Sequence, residues 1–159
     1  MGSGSILREV IAAANILSED FGIQADVWSC PSFNELKRDG DDCVRWNLMH
    51  PDQKPRIPHV TACLEKHSGP VVAATDYVKL FADQIRAYVG RNYHVLGTDG
   101  FGRSDTRASL RRHFEVNRYY VTVAALKTLA DEGTIPAKTV KSAIRKYKLD
   151  PEKPNPLNV

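Results

Sequence analysis

The residues of this 159-residue chain most able to do chemistry sit in one stretch, Gly97-Thr98-Asp99-Gly100-Phe101-Gly102-Arg103-Ser104-Asp105-Thr106-Arg107. It follows an apolar run that reads as a strand and precedes a helix start, where α/β sheets commonly bind ligands. Exposed backbone N–H groups and the helix dipole would favour an anion there. Arg103 and Arg107 would add positive charge. Asp99, Gly100, Gly102, Arg103, Ser104, Asp105 and Arg107 are therefore the candidate residues of an anion-binding or interface loop. The pattern is neither G-x-G-x-x-G nor a Walker A loop, because no Gly-Lys-Ser/Thr occurs in it. A purely structural reading competes. Gly100 and Gly102 permit a tight turn, Ser104 or Asp105 caps the helix, and the arginines pair with carboxylates across a domain or subunit contact.

Other reactive side chains are scattered. The histidines His50, His59, His67, His94 and His113 form no HExxH pattern. Ser29, Ser32 and Ser104 lack the G-x-S-x-G elbow. Cys30, at a strand end before Pro31, reads as a small buried hydrophobe. With Cys43 and Cys63 it makes an odd, widely spaced set with no CxxC pair, which suits reduced thiols better than disulfides or zinc. Trp28, Phe33, Trp46, Tyr119 and Tyr120 read as core or interface anchors. Arg111 and Arg112 read as a solvated helix face. No catalytic, cofactor-binding or metal-binding residue is assigned.

Periodicity supplies the elements that would position the loop. Ile6, Val10, Ala14, Leu17 and Phe21 line one face of a helix that Gly22 stops. Ala25 to Cys30 reads as a strand. Ser32 and Glu35 open a helix from Phe33 to about Arg38 as a capping box. Asp39-Gly40-Asp41-Asp42 reads as a turn before a short helix from Val44 to Met49. His50 to Pro58 is a proline-rich loop, and Val60 to Lys66 reads as helical. Pro70 to Thr75 is a continuous apolar run suited to a strand covered on both faces. Asp76 would cap a helix from Tyr77 to Val89. Tyr93 to Gly97 is the third strand. Three helices follow, to about Phe114, from Tyr119 to Asp131 ending at Gly133, and from Ala137 to Tyr147 after Pro136.

Alternating helices and strands predict an α/β fold with a mostly parallel sheet. The length suits a single domain over 1–159, with 150–159 an irregular tail. Three strands are few, and the first helix starts without a strand before it. A sheet position ahead of that helix is expected to be missing or filled from elsewhere. Net charge is +3 with no basic block, which gives no support for nucleic acid. No run approaches the ~20 apolar residues of a membrane span, and the start lacks signal-peptide character.

The sequence resembles the C-terminal part of the bacterial homodimeric pyruvate dehydrogenase E1 family. The resemblance runs through Gly2 to Arg8, Asp26-Val27-Trp28-Ser29 and Ser32 to Leu36. It continues at Arg45-Trp46-Asn47, His50-Pro51, Thr75-Asp76-Tyr77, Lys79 to Ala82 and Leu96 to Arg107. Phe114-Glu115-Val116 and Asn155-Pro156-Leu157 fit as well. It implies a transketolase C-terminal-like fold, a three-layer α/β/α domain around a five-stranded mixed sheet, in which the Gly-Ser stretch trails a central strand. It implies a cytoplasmic, homodimeric bacterial enzyme, linked to glycolysis, that decarboxylates pyruvate on thiamine diphosphate and Mg²⁺. That enzyme acetylates the lipoyl group of the E2 dihydrolipoamide acetyltransferase. The family's GDG-to-Asn cofactor motif does not map here, and Asp99-Gly100 is no substitute. The resemblance thus implies a non-catalytic domain, inactive alone, that supports the dimer and docks partners. The alternative is a regulatory module that binds an anion or other ligand at Gly97–Arg107.

Overall fold

The computed structural model describes residues 1–159. Two parallel strands, β1 (Val71–Ala74) and β2 (Tyr93–Leu96), pair in register from Val71 opposite Tyr93 to Ala74 opposite Leu96. The sheet does not stop at β1. Gly2 bridges in parallel to Ala74 on one side and to Ser29 on the other. Met1 to Ser3 therefore lie between β1 and the segment ending at Cys30. Only Gly2 bridges on both sides, so no full strand precedes the first helix, as expected, and the first residues reach only one end of that sheet position.

Eight α-helices surround this sheet. A 3-10 turn, Gly4–Ile6, leads into α1 (Leu7–Phe21), which ends at Gly22 in the left-handed conformation. Its buried stripe is Ile6, Glu9, Val10, Ala13 and Leu17, with Ala14 and Phe21 only half-buried. α1 packs on α7 (Arg118–Asp131), which packs in turn on α8 (Ala137–Lys146). On the other side, α2 (Phe33–Met49), α3 (His59–Leu64), α4 (Lys79–Asp83) and α5 (Arg86–Val89) enclose a cluster with Phe33, Ala73, Ile85 and Tyr93. α6 (Arg107–His113) leaves the loop after β2 and has no buried residue. The result is an α/β fold with a short parallel sheet between helical layers.

Four local expectations are corrected. Ala25 to Cys30 is not a strand. It has one bridge, at Ser29, because only Gly2 lies alongside to pair with it. The turn at Asp39–Asp42 is helical, and α2 runs unbroken from Ser32, whose side chain accepts from the Glu35 N–H at 3.2 Å. Asp76 caps no helix. Its carboxylate accepts from the Ser5 hydroxyl at 3.2 Å, and Tyr77–Val89 breaks into α4 and α5 around Gln84 and Ile85. The cap of α6 is Thr106, which accepts from the Ser109 N–H at 3.2 Å, rather than Ser104 or Asp105. The tail is irregular except for a 3-10 turn at Pro156–Asn158.

Gly40 explains the second correction. A Cβ there would stand 2.3 Å from the Tyr88 ring, so glycine lets α5 approach α2. Gly40→Ala should lower stability by about 1–3 kcal/mol despite alanine's better helix propensity, because the ring has to move. A higher thermal midpoint in this variant would show that the ring moves freely.

Candidate functional site

The loop after β2 leaves the sheet at its C-terminal edge, beside the chain that leaves β1. Thr98 binds this neighbour twice. Its N–H donates to the Tyr77 carbonyl at 2.9 Å and its hydroxyl to the Asp76 carbonyl at 2.8 Å. Gly97 is needed at this crossing, since a Cβ would stand 2.7 Å from the Lys79 nitrogen and the Tyr77 oxygen. Asp99 turns away from the predicted site. Its carboxylate accepts from the Lys79 N–H at 3.3 Å and faces the Lys79 ammonium at 3.8 Å.

Beyond Asp99 an open groove of about 550 Å³ lies between the loop, α6 and the start of the chain. Gly100, Gly102, Arg103, Asp105 and Arg107 line it. Asp99 and Ser104 do not. Five of the seven predicted residues thus meet in one place, joined by Ser5, Asp76, Thr98 and Arg111. Arg103 and Arg107 are exposed. Asp105 is partly used, since its carboxylate accepts from the Thr106 N–H at 2.5 Å. Two exposed guanidiniums on an open wall suit a carboxylate or phosphate group. The groove holds no paired nucleophile and base. Nowhere in the chain do three or more His, Cys, Asp or Glu side chains converge closely enough to hold a metal ion.

Gly100 carries a second constraint. Its φ is +109°, and a Cβ there would stand 2.2 Å from the Pro156 carbonyl oxygen. The buried Pro156 packs the C-terminal turn directly on the loop. Gly100→Ala should lift the tail off the loop. Limited proteolysis should then cut near Pro156 several-fold faster than in the unaltered chain, and an unchanged rate would contradict the contact.

Behind Arg111, which stands on the groove's wall, lies a feature that the sequence reading missed. Glu9, buried on the core stripe of α1, accepts from Arg111 at 2.9 Å, from the Arg118 N–H at 2.9 Å and from the Arg118 guanidinium at 3.0 and 3.1 Å. Burial pushes its carboxyl up, but the two arginines outweigh it and hold the group below the usual carboxylate range. Arg111 is therefore not on a solvated face, as only 15% of its side chain is exposed. Its other nitrogen donates to the Ser5 carbonyl at 3.3 Å. Arg112 does lie at the surface and donates to the Lys148 carbonyl at 3.0 Å. The available signal was the helical phase of Glu9, three residues after Ile6 and four before Ala13. A carboxylate on a core stripe requires buried cations.

Several of the other reactive side chains make packing or pairing contacts. Cys30 and Cys43 are buried, and all three cysteines are free thiols. Burial pushes the Cys30 thiol up, the opposite of what a nucleophile needs. His67 meets Asp26 at 2.8 Å, and His50 stacks on Trp46 with ring centroids 4.3 Å apart.

Comparison with known proteins adds a family to this geometry. The sequence profile of the transketolase-like TK C-terminal domain matches residues 1–117. The chain is 60% identical over 159 residues to the pyruvate dehydrogenase E1 component of Cupriavidus necator, covering 100% of this chain and 18% of that protein. It is 60% identical over 159 residues to the one of Pseudomonas aeruginosa, covering 99% and 18%. Against the one of Escherichia coli K12 the identity is 55% over 157 residues, covering 98% and 18%. The chain thus spans about a fifth of the length of these curated relatives.

Proposed function

The chain belongs to the transketolase-like C-terminal domain family, and on that premise we propose that it is the C-terminal domain, a single unit over 1–159, of a pyruvate dehydrogenase E1 component. The observation that carries this reading is 60% identity along all 159 residues to a protein of that name. The whole enzyme, a cytoplasmic bacterial homodimer, would decarboxylate pyruvate on thiamine diphosphate with Mg²⁺ and pass the two-carbon unit to the lipoyl group of E2. The residues here do not fit those cofactors. No acidic cluster is available for the metal, and the Asp99 carboxylate is engaged by Lys79. No step of the reaction is therefore assigned to this chain.

Its own role is to support the dimer and to dock partner subunits. Exposed apolar side chains favour contact surfaces of this kind. Leu48 on α2 is 76% exposed, Leu80 on α4 72% and Phe101 in the loop 76%. No helix is long and apolar enough to cross a membrane. The second reading, an anion bound by the loop, is favoured by Arg103 and Arg107 on the groove wall.

Two measurements test the first reading. The purified chain, given pyruvate, thiamine diphosphate, Mg²⁺ and ferricyanide, should reduce no ferricyanide above a blank. Turnover would overturn the non-catalytic assignment. Grafted in place of the matching segment of the Escherichia coli relative, the chain should preserve dimerisation and E2-coupled activity. A monomeric or inactive chimaera would count against the assignment. Titration of phosphate into the chain and into an Arg103→Ala/Arg107→Ala variant tests the second reading.

A further inference from the structure

The groove beside the loop after β2 holds charges of both signs that the chain leaves unpaired. Arg103, Arg107, Asp76 and Asp105 all line it, and none of the four makes an ion pair. The Arg111 guanidinium on the same wall is engaged by Glu9, so its charge is already balanced. Asp105 keeps one oxygen on the Thr106 N–H, and the Asp76 carboxylate accepts only from the Ser5 hydroxyl. Two positive and two negative groups therefore face the groove, and their charges sum to zero. Thr98 holds the two signs together. Its hydroxyl donates to the Asp76 carbonyl at 2.8 Å, which ties the chain leaving β1 to the loop that carries Arg103.

Gly102 adds a bare stretch of backbone. It lines the groove, a Cβ there would meet nothing within 4 Å, and its φ is not positive. Neither packing nor backbone strain within this chain calls for glycine at that position. Glycine on an open wall lets a bound molecule approach the main chain closely. Leu110 of α6 and Phe114 just past it, one turn apart, give the groove an apolar side. At about 550 Å³ the groove is the size of a small-molecule site. The charges decide which small molecule fits. A phosphate dianion or a polyphosphate would gain two guanidiniums but face two carboxylates in the same groove. A simple carboxylate leaves both aspartates without a partner. A zwitterion complements both signs at once.

We propose that this groove binds a free α-amino acid with an apolar side chain, its carboxylate on Arg103 and Arg107, its ammonium on Asp76 and its side chain against Leu110 and Phe114. The inference rests on the reading of the groove as an anion site and names the class of its ligand. The guanidiniums take the carboxylate through paired N–H donors. Asp76 is the better partner for the ammonium, because one Asp105 oxygen is already turned to Thr106. The side chain adds affinity by covering apolar surface on Leu110 and Phe114.

The probe is L-leucine, titrated into the chain by calorimetry and by NMR of the amide protons. Saturable binding is expected, with the Gly102 and Arg103 amide signals shifting most. Isocaproate, which lacks the ammonium, should bind about tenfold more weakly, since a charge-assisted contact is lost. Isopentylamine, which lacks the carboxylate, should not bind measurably. Asp76→Asn should bring leucine down to the isocaproate level, and Arg103→Ala/Arg107→Ala should abolish binding of both. Gly102→Ala has room in the folded chain, so it should weaken leucine binding without lowering the thermal midpoint. If a variant does not fold, the comparison of ligands on the unaltered chain decides. Leucine binding no tighter than isocaproate overturns the inference and leaves the anion reading standing, as does phosphate binding without leucine binding. Absence of binding by leucine, isocaproate and phosphate at on the order of tens of millimolar overturns both. Undiminished leucine binding in the double arginine variant places the ligand elsewhere and overturns the site.

Discussion

Replacing Glu9 by alanine is expected to cost about 3–5 kcal/mol of folding stability, read as a fall in the urea midpoint at neutral pH. The side chain is only 7% exposed and accepts four hydrogen bonds from two arginines. Its removal leaves Arg111, also largely buried, with a charge facing no partner, and unties α1 from α6 and from the first turn of α7. Glu9→Gln keeps an acceptor and should cost less. The effect has a pH signature. The folded carboxyl titrates below its unfolded value, so the stabilisation is complete above the unfolded value and is lost as pH falls through the folded one. The difference between the parent chain and Glu9→Gln should therefore shrink under acid. A constant difference down to acid unfolding would show that the charge contributes nothing.

Leu126→Ala should cost about 2–5 kcal/mol through lost burial and the cavity left behind. Leu126 is fully enclosed where α7 meets α1 and α8, beside Leu17, Val140 and Ala143. No ionisable group takes part, so this loss should be the same across the pH range where the Glu9 loss varies. A Leu126→Ala midpoint within experimental error of the parent would mean that the cluster collapses into the space.

Periodic elements were legible in the sequence because burial imposes the period. α1, α7, α8, β1 and β2 each carry an apolar pattern that only one backbone geometry places on the core. What failed were positions where a distant contact outweighed a local signal. Asp39-Gly40-Asp41-Asp42 has the composition of a turn, yet Tyr88, far along the chain, makes glycine necessary inside a helix. Asp76 has the residue type of a cap, but Ser5 takes its carboxylate. Ala25 to Cys30 has strand composition, but strands exist only where an edge is available to pair.

The loop was legible as a place, not as an arrangement. Its position after a strand and its two arginines placed five of its seven candidates around one groove. That Asp99 turns to Lys79 depends on a residue twenty positions earlier, and that Glu9 holds Arg111 on the groove's wall depends on the start of the chain meeting a residue about a hundred positions later. No local pattern encodes such a meeting.

The contact of Gly100 with Pro156 couples two equilibria. A ligand that needs the loop in a shape the docked tail forbids binds only the fraction of molecules whose tail is lifted, and its apparent affinity falls by that fraction. Linkage makes the coupling reciprocal. A ligand that favours the docked loop must hold the tail down by the same free energy with which the tail favours the ligand. If the groove takes a ligand, cleavage of the last few residues would report on loop occupancy, and trimming them would reset that ligand's affinity.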